Sequence, residues 1–118
     1  MAVETTDEFK VWFDRLSESS RDKITAAIEL LQEEGPQLRF PLSSGVEGSG
    51  HSHMRELRVQ HKGKPLRIFY AFDPRRVAML LIGDDKTGDK RFYKKFVPLA
   101  DQLYDEHIAE LKRRKSIK

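Results

Sequence analysis

MRELRVQHKGKPLRIFYAF, residues 54–72, alternates apolar and polar side chains on both sides of Lys62-Gly63. This is the pattern of two antiparallel strands joined by a tight turn, each with one face towards a core. Slipping the pairing by one residue would move every side chain to the opposite face, so the hydrophobic pattern selects the register. A loop of even length pairs Val59 with Leu66 and Leu57 with Ile68, leaving one consistently apolar face; an odd loop would set Arg against Ile. The even register also places Arg58 directly opposite Arg67 on the other face, with Glu56 and Gln60 beside them and Phe69 close by. Arg55 falls on the apolar alternation and is expected to reach round the end of its strand. Like charges in direct opposition repel. An anion must therefore lie near: an internal carboxylate (Glu56, or Asp84 or Asp85), or a bound phosphate, which the planar guanidinium fork matches. The sheet is expected to have one apolar and one basic face.

Beyond the hairpin, DPRR (residues 73–76) is a turn, and VAMLLI (77–82), continuous in hydrophobicity, is an interior third strand. An antiparallel meander over 54–83 results. Met1 to Thr5 leaves room for only a very short leading strand. Thr5 with Glu8 suggests a capping box ahead of Phe9, Trp12, Phe13 and Leu16, which share a helix face. Ser19 or Ser20 would cap a second helix, whose apolar positions Ile24, Ala27, Ile28 and Leu31 run to Gly35-Pro36. A helical hairpin over 6–35 is predicted. Residues 36–53, rich in serine, glycine and proline, form a long loop. A helical segment over 90–114 carries Phe92, Phe96, Leu99, Leu103, Tyr104, Ile108 and Leu111 at helical spacing, and Pro98 must start a new helix or kink a continuous one. The fold class is α+β in a single domain, residues 1–118.

Composition narrows the chemistry. The 118 residues include no cysteine, which removes disulfides, thiolate metal sites and thiol catalysis and fits a reducing compartment. No apolar run has the length of a membrane span and MAVETTDEF lacks signal-peptide character, so a cytoplasmic location is expected. Residues 1–50 hold five Lys/Arg against ten Asp/Glu, whereas 51–118 hold seventeen against nine. The basic character belongs to the half that begins with the hairpin, which points to an anionic partner such as nucleic acid. GDDKTGD (83–89) lacks the glycine and lysine spacing of a phosphate loop and reads as a polar turn. His51 and His53, with only His61 and His107 elsewhere, are a weak metal signal; no metal or cofactor is expected.

MRELRV, LRIFYAF, VAMLLIGDDKTGD and the following RFY, in that order behind a helical hairpin, resemble the RelE/ParE superfamily of bacterial toxins, especially its HigB-like branch. The resemblance runs from TDEF to about YDEH. It implies two helices packed on a small twisted antiparallel sheet, a concave basic face opposite them, and here an extended C-terminal helix. Members similar to RelE cut messenger RNA in the ribosomal decoding site. By position, the implied site holds Arg58 and Arg67, with Arg55 earlier on the strand, Lys86 or Arg91 as the later basic residue, and Tyr93 as the aromatic. Partners implied are the ribosome with its messenger and a cognate antitoxin, a HigA-like helix-turn-helix protein.

Cleavage by the neighbouring 2′-OH needs that hydroxyl deprotonated, the phosphorane charge stabilised and the leaving 5′-oxygen protonated. Arginines meet the second need. Glu56 and the histidines are conventional bases, Lys86 or Arg91 a charge stabiliser or acid, and Tyr93 a base stacker or proton donor. Lys90, His51 and His53 join Arg55 and Arg91 as candidate RNA contacts. Two other readings stay open: a ParE-like inhibitor of DNA gyrase without an active site, and a non-catalytic RNA-binding domain.

Overall fold

Three helices lie on the two faces of a five-stranded sheet in the computed structural model, which describes residues 1–118. In chain order the elements are β1 (Val3–Thr5), α1 (Asp7–Asp14), α2 (Glu18–Glu34) with a short 3₁₀ turn at Gly35–Gln37, β2 (Ser43–Gly45), β3 (Arg55–His61), β4 (Lys64–Phe72), β5 (Ala78–Asp85) and α3 (Phe92–Arg113). The strands are ordered β1-β5-β4-β3-β2.

The β3–β4 hairpin has the even register, with Val59 opposite Leu66, Leu57 opposite Ile68 and Arg58 opposite Arg67. Lys62 (φ 49°) and Gly63 (φ 76°) form the two-residue turn; two successive positive φ angles give the twist that fits the right-handed twist of the strands. The meander β3–β4–β5 is antiparallel as expected, but the sheet as a whole is mixed. β1 runs parallel to β5, pairing Val3 with Ala78 and Thr5 with Leu80. β2, which the sequence leaves inside the long loop, adds antiparallel to β3. Its three residues, Ser-Ser-Gly, carry no hydrophobic alternation that could announce a strand.

Both N-caps differ from the expected residues. Thr5 is taken up by β1, so Thr6 caps α1: its Oγ1 accepts from Phe9 N (2.9 Å) and donates to Leu81 O (2.6 Å), tying the helix start to the sheet. Ser17 caps α2 by accepting from Ser20 N at 3.2 Å. The earlier start follows from the short link after α1, which ends at Asp14.

α1 and α2 cover one sheet face, where Phe9, Ile24, Leu31, Leu57, Ile68 and Tyr70 belong to one core. The opposite face is not the basic surface the hairpin alone suggests. α3, a continuous helix through Pro98, packs there on Met54, Phe69, Ala71, Met79 and Leu81 through Phe92, Ala100 and Leu103. β4 and β5 are apolar on both faces, so both faces had to be covered. The end of the second face near Arg58 and Arg67 keeps charged residues. A β-bulge opposite Phe69/Tyr70 shifts the pairing, so that Phe69 faces Ile82 but Tyr70 faces Leu80. Gly83, opposite Ile68, thereby lands under Trp12, where a Cβ would come within 2.4 Å of the indole ring.

α3 is fastened at the β4–β5 turn. The fully buried Asp73 carboxylate accepts from Arg75 Nη2 (2.7 Å), His107 Nε2 (2.8 Å) and the Arg75 backbone N–H (2.8 Å). Burial alone would raise its pKa, but the bonds from Arg75, His107 and the backbone outweigh that and hold it below the usual carboxylate value. No helix is long and apolar enough to cross a membrane.

Candidate functional site

The paired arginines of the hairpin meet their anion inside the protein. Glu56, two residues before Arg58 and therefore on the same face of β3, is almost fully buried. Its Oε1 lies 3.5 Å from Arg67 Nε and its Oε2 lies 3.9 Å from Arg58 Nη1. Neither Asp84 nor Asp85 takes this role, although the register sets Asp84 across from Arg67; Asp84 Oδ1 accepts from the Asp85 backbone N–H instead. One carboxylate thus offsets two guanidinium groups at distances longer than a bidentate pair would have. A net positive charge is left at the site.

The two arginines differ in access. Arg67, in the middle strand, has a side chain 7% exposed; its Nη1 donates to Leu66 O (3.1 Å), and its buried Nε has no hydrogen-bond partner. Arg58, nearer the sheet edge, is 30% exposed and its guanidinium carbon sits 5.3 Å from the centroid of the Phe40 ring. A buried donor without a partner is costly, and here it is a donor directed at the cluster.

Tyr93 completes the group. It lies in the first turn of α3, and its hydroxyl donates to Glu56 across 2.8 Å (Oε1), with Oε2 at 3.2 Å. Burial, then the hydrogen bond to Glu56 and its negative charge, push the phenol pKa above its ordinary value, while Arg67 opposes the rise. At neutral pH the phenol therefore keeps its proton and serves as a donor, not a base. Lys86 follows β5, and its backbone N–H donates to Pro65 O, which folds the segment against the start of β4. The Lys86 ammonium lies 5.3 Å over the Tyr93 ring. Glu56, Arg58, Arg67, Lys86 and Tyr93 thus come from β3, β4, the end of β5 and the start of α3 to one end of the sheet.

The remaining sequence candidates lie elsewhere. Arg55, on the α1–α2 side, is held by a 2.9 Å bond from its Nε to Ser43 Oγ on β2, beside the Ser43–Tyr70 hydroxyl pair. It does not reach round the strand to the cluster. Lys90 and Arg91 are exposed just before α3, with the Arg91 backbone N–H on Asp89 Oδ1. His51 and His53 bond to Asp105 (2.7 Å) and the Tyr104 hydroxyl (3.1 Å), eleven or more residues along α3 from Tyr93, roughly 16 Å at 1.5 Å per residue. They brace the loop against the helix. No three His, Asp or Glu side chains converge to hold a metal. Phe40 is the neighbour that sequence reasoning missed; its signal was an aromatic residue between Arg39 and Pro41 in a polar loop.

A family profile described as phage-derived Gp49-like protein matches residues 11–105. The chain is 41% identical over 110 residues to the candidate toxin HigB3 of Mycobacterium tuberculosis, covering 92% of this chain and 95% of that protein. It is 38% identical over 116 residues to the candidate toxin HigB2 of the same organism, again covering 92% of this chain, and it spans only 58% of HigB2. Among solved structures, the isolated Escherichia coli RelE toxin superposes with a TM-score of 0.57 at 8% identity, over 79% of this chain and 92% of RelE. The archaeal RelE–RelB complex from Pyrococcus horikoshii gives 0.54 at 16% identity, over 74% and 96%. At these identities the structural likeness speaks for a RelE-like fold.

Proposed function

The chain belongs to the Gp49-like family, and from that premise we propose that it is the toxin of a type II toxin–antitoxin pair, a HigB-like endonuclease that cuts messenger RNA on the ribosome. The observation that carries this reading is the cluster at the end of the sheet. It offers two arginines with one shared carboxylate, a protonated phenol on that carboxylate and a lysine against the phenol ring. The toxin names of the two mycobacterial relatives support the class, and the RelE–RelB complex supports a cognate antitoxin as partner. The proposed antitoxin is a helix-turn-helix protein similar to HigA. Such a protein works in the cytoplasm, where its ribosomes are.

The proposed chemistry uses these residues in turn. The 2′-oxygen attacks the adjacent phosphorus and gives its proton to the Glu56 carboxylate, which swings off Tyr93 as substrate enters. Arg58 and Arg67 stabilise the phosphorane charge in a largely water-excluded place, where such stabilisation is strongest. The bond to the 5′-oxygen breaks, and that oxygen takes a proton from the Tyr93 hydroxyl, with Lys86 holding the resulting charge. The products are a 2′,3′-cyclic phosphate and a 5′-hydroxyl. In the free protein Glu56 is occupied by Tyr93 and the arginines, so the ribosome and its messenger must supply the in-line geometry.

Purified protein added to ribosomes programmed with a defined messenger should yield cuts visible by primer extension. Arg67→Ala, with its circular dichroism unchanged, should slow cleavage about 10²–10³-fold, the range for loss of one transition-state donor. Intact messengers with the unmodified protein would sink the nuclease reading. Damaged DNA in arrested cells with whole messengers would point to a gyrase inhibitor instead.

A further inference from the structure

We propose that the exposed Phe40 ring and the groove next to it, which share Arg58, form a nucleotide subsite: the ring stacks one base while Arg58 holds a phosphate of the same nucleotide. The idea rests on the RNA reading given above and adds to it the place where one nucleotide is gripped.

Three observations carry it. Phe40 is 71% exposed, the most exposed large hydrophobic side chain in the protein, with Leu42 and Leu30 also well exposed. Leu30 and Leu42 share the wall of one groove, and it is contiguous apolar surface of this kind that marks a contact site. Next, the Phe40 ring is already packed by the Arg58 guanidinium, 5.3 Å from its centroid, leaving other ring surface open to solvent. Arg58 is at the same time only loosely tied to Glu56 at 3.9 Å, so it can turn to a phosphate without abandoning the ring. Third, the adjoining groove of about 470 Å³ has an apolar wall of Ala27, Leu30 and Leu42 and three cations, Lys23, Arg58 and Arg67; no carboxylate lines it. That volume lies within the roughly 300–1,000 Å³ of small-ligand clefts.

A flat π-surface, an apolar wall and three cations that outnumber the one carboxylate near them fit a ligand that is flat at one end and anionic at the other. A nucleotide has that form, and base–aromatic stacking tolerates any base because each has a π-face. An acidic protein segment is the competing occupant, since it would use the apolar wall and the cations. It gains nothing special from a ring stacked on a guanidinium, which is why the nucleotide is favoured.

The test compares Phe40→Ala, Phe40→Leu and Phe40→Trp in two assays: cleavage on programmed ribosomes, and binding of a fluorescein-labelled single-stranded RNA hexanucleotide at low salt. Phe40→Ala should raise the half-saturating concentration and weaken hexanucleotide binding roughly 5- to 150-fold, the factor equivalent to about 1–3 kcal/mol of stacking. Phe40→Leu should fall with alanine and Phe40→Trp should stay near the unmodified protein. Leucine as good as phenylalanine overturns the subsite, because greasy contact then suffices. So does alanine that binds and cuts normally yet no longer associates with the antitoxin. If the unmodified protein leaves ribosomal messengers intact, the nuclease reading falls, and the hexanucleotide series decides the subsite alone.

Discussion

Glu56 sets the behaviour of its neighbours. Its carboxylate separates Arg58 from Arg67, which stand in direct opposition across the hairpin, and it accepts the Tyr93 proton. Removing it should lower two properties at once. With Glu56→Gln, the hydrogen bond to a charged acceptor and the negative charge are lost while burial and Arg67 remain. The Tyr93 pKa should then fall back towards its ordinary value of 10.0 without fully reaching it. Ultraviolet titration, with Phe replacing Tyr93 as the blank, reads this directly; an unchanged midpoint would mean that burial alone raises it. The arginines, left without their shared anion, repel, so the same variant should lose stability although it carries one less buried charge.

At the scale of elements, the register of one hairpin and the bulge of the next strand decide which residues can be large. Gly83 reaches the α1 side only because the bulge shifts β5 by one residue, and there Trp12 occupies the space of a Cβ. Gly83→Ala should therefore destabilise the fold by about 1–3 kcal/mol through overpacking. In a Trp12→Leu background the same substitution should cost less, since the clash is then gone. Denaturant midpoints of the four proteins settle this, and equal costs of Gly83→Ala in both backgrounds would refute the packing account. α3 obeys the same logic of fit. Its first turn carries Tyr93 to Glu56, and its middle is fastened through His107 to Asp73, so the far anchor helps fix how the near end meets the sheet.

For the whole molecule, charge is distributed by sequence half and then concentrated by folding. Two basic residues of the second half, Arg58 and Arg67, line one groove together with Lys23 of α2. Binding of single-stranded RNA should accordingly weaken with salt. Three neutralised phosphates predict a slope of log K against log salt of about −2, and Arg58→Ala should flatten it by about 0.7. A slope near zero would place the RNA away from these cations. Much of this architecture is legible in the chain. The alternation on each side of Lys62-Gly63 determined the hairpin, its register and the opposition of Arg58 and Arg67; the helical spacing of Phe9, Trp12, Phe13 and Leu16 determined one packed helix face. Such signals are local, because side-chain direction follows backbone period within a few residues. What only the tertiary structure decided involves partners far apart in sequence: the parallel docking of β1, the burial of the second sheet face under α3, the Tyr93 hydroxyl on a carboxylate 37 residues earlier, and Phe40 on Arg58. Periodicity states that a face must be covered. Which element covers it, and which charge meets which, depends on how whole surfaces fit, and no single stretch of the chain contains that information.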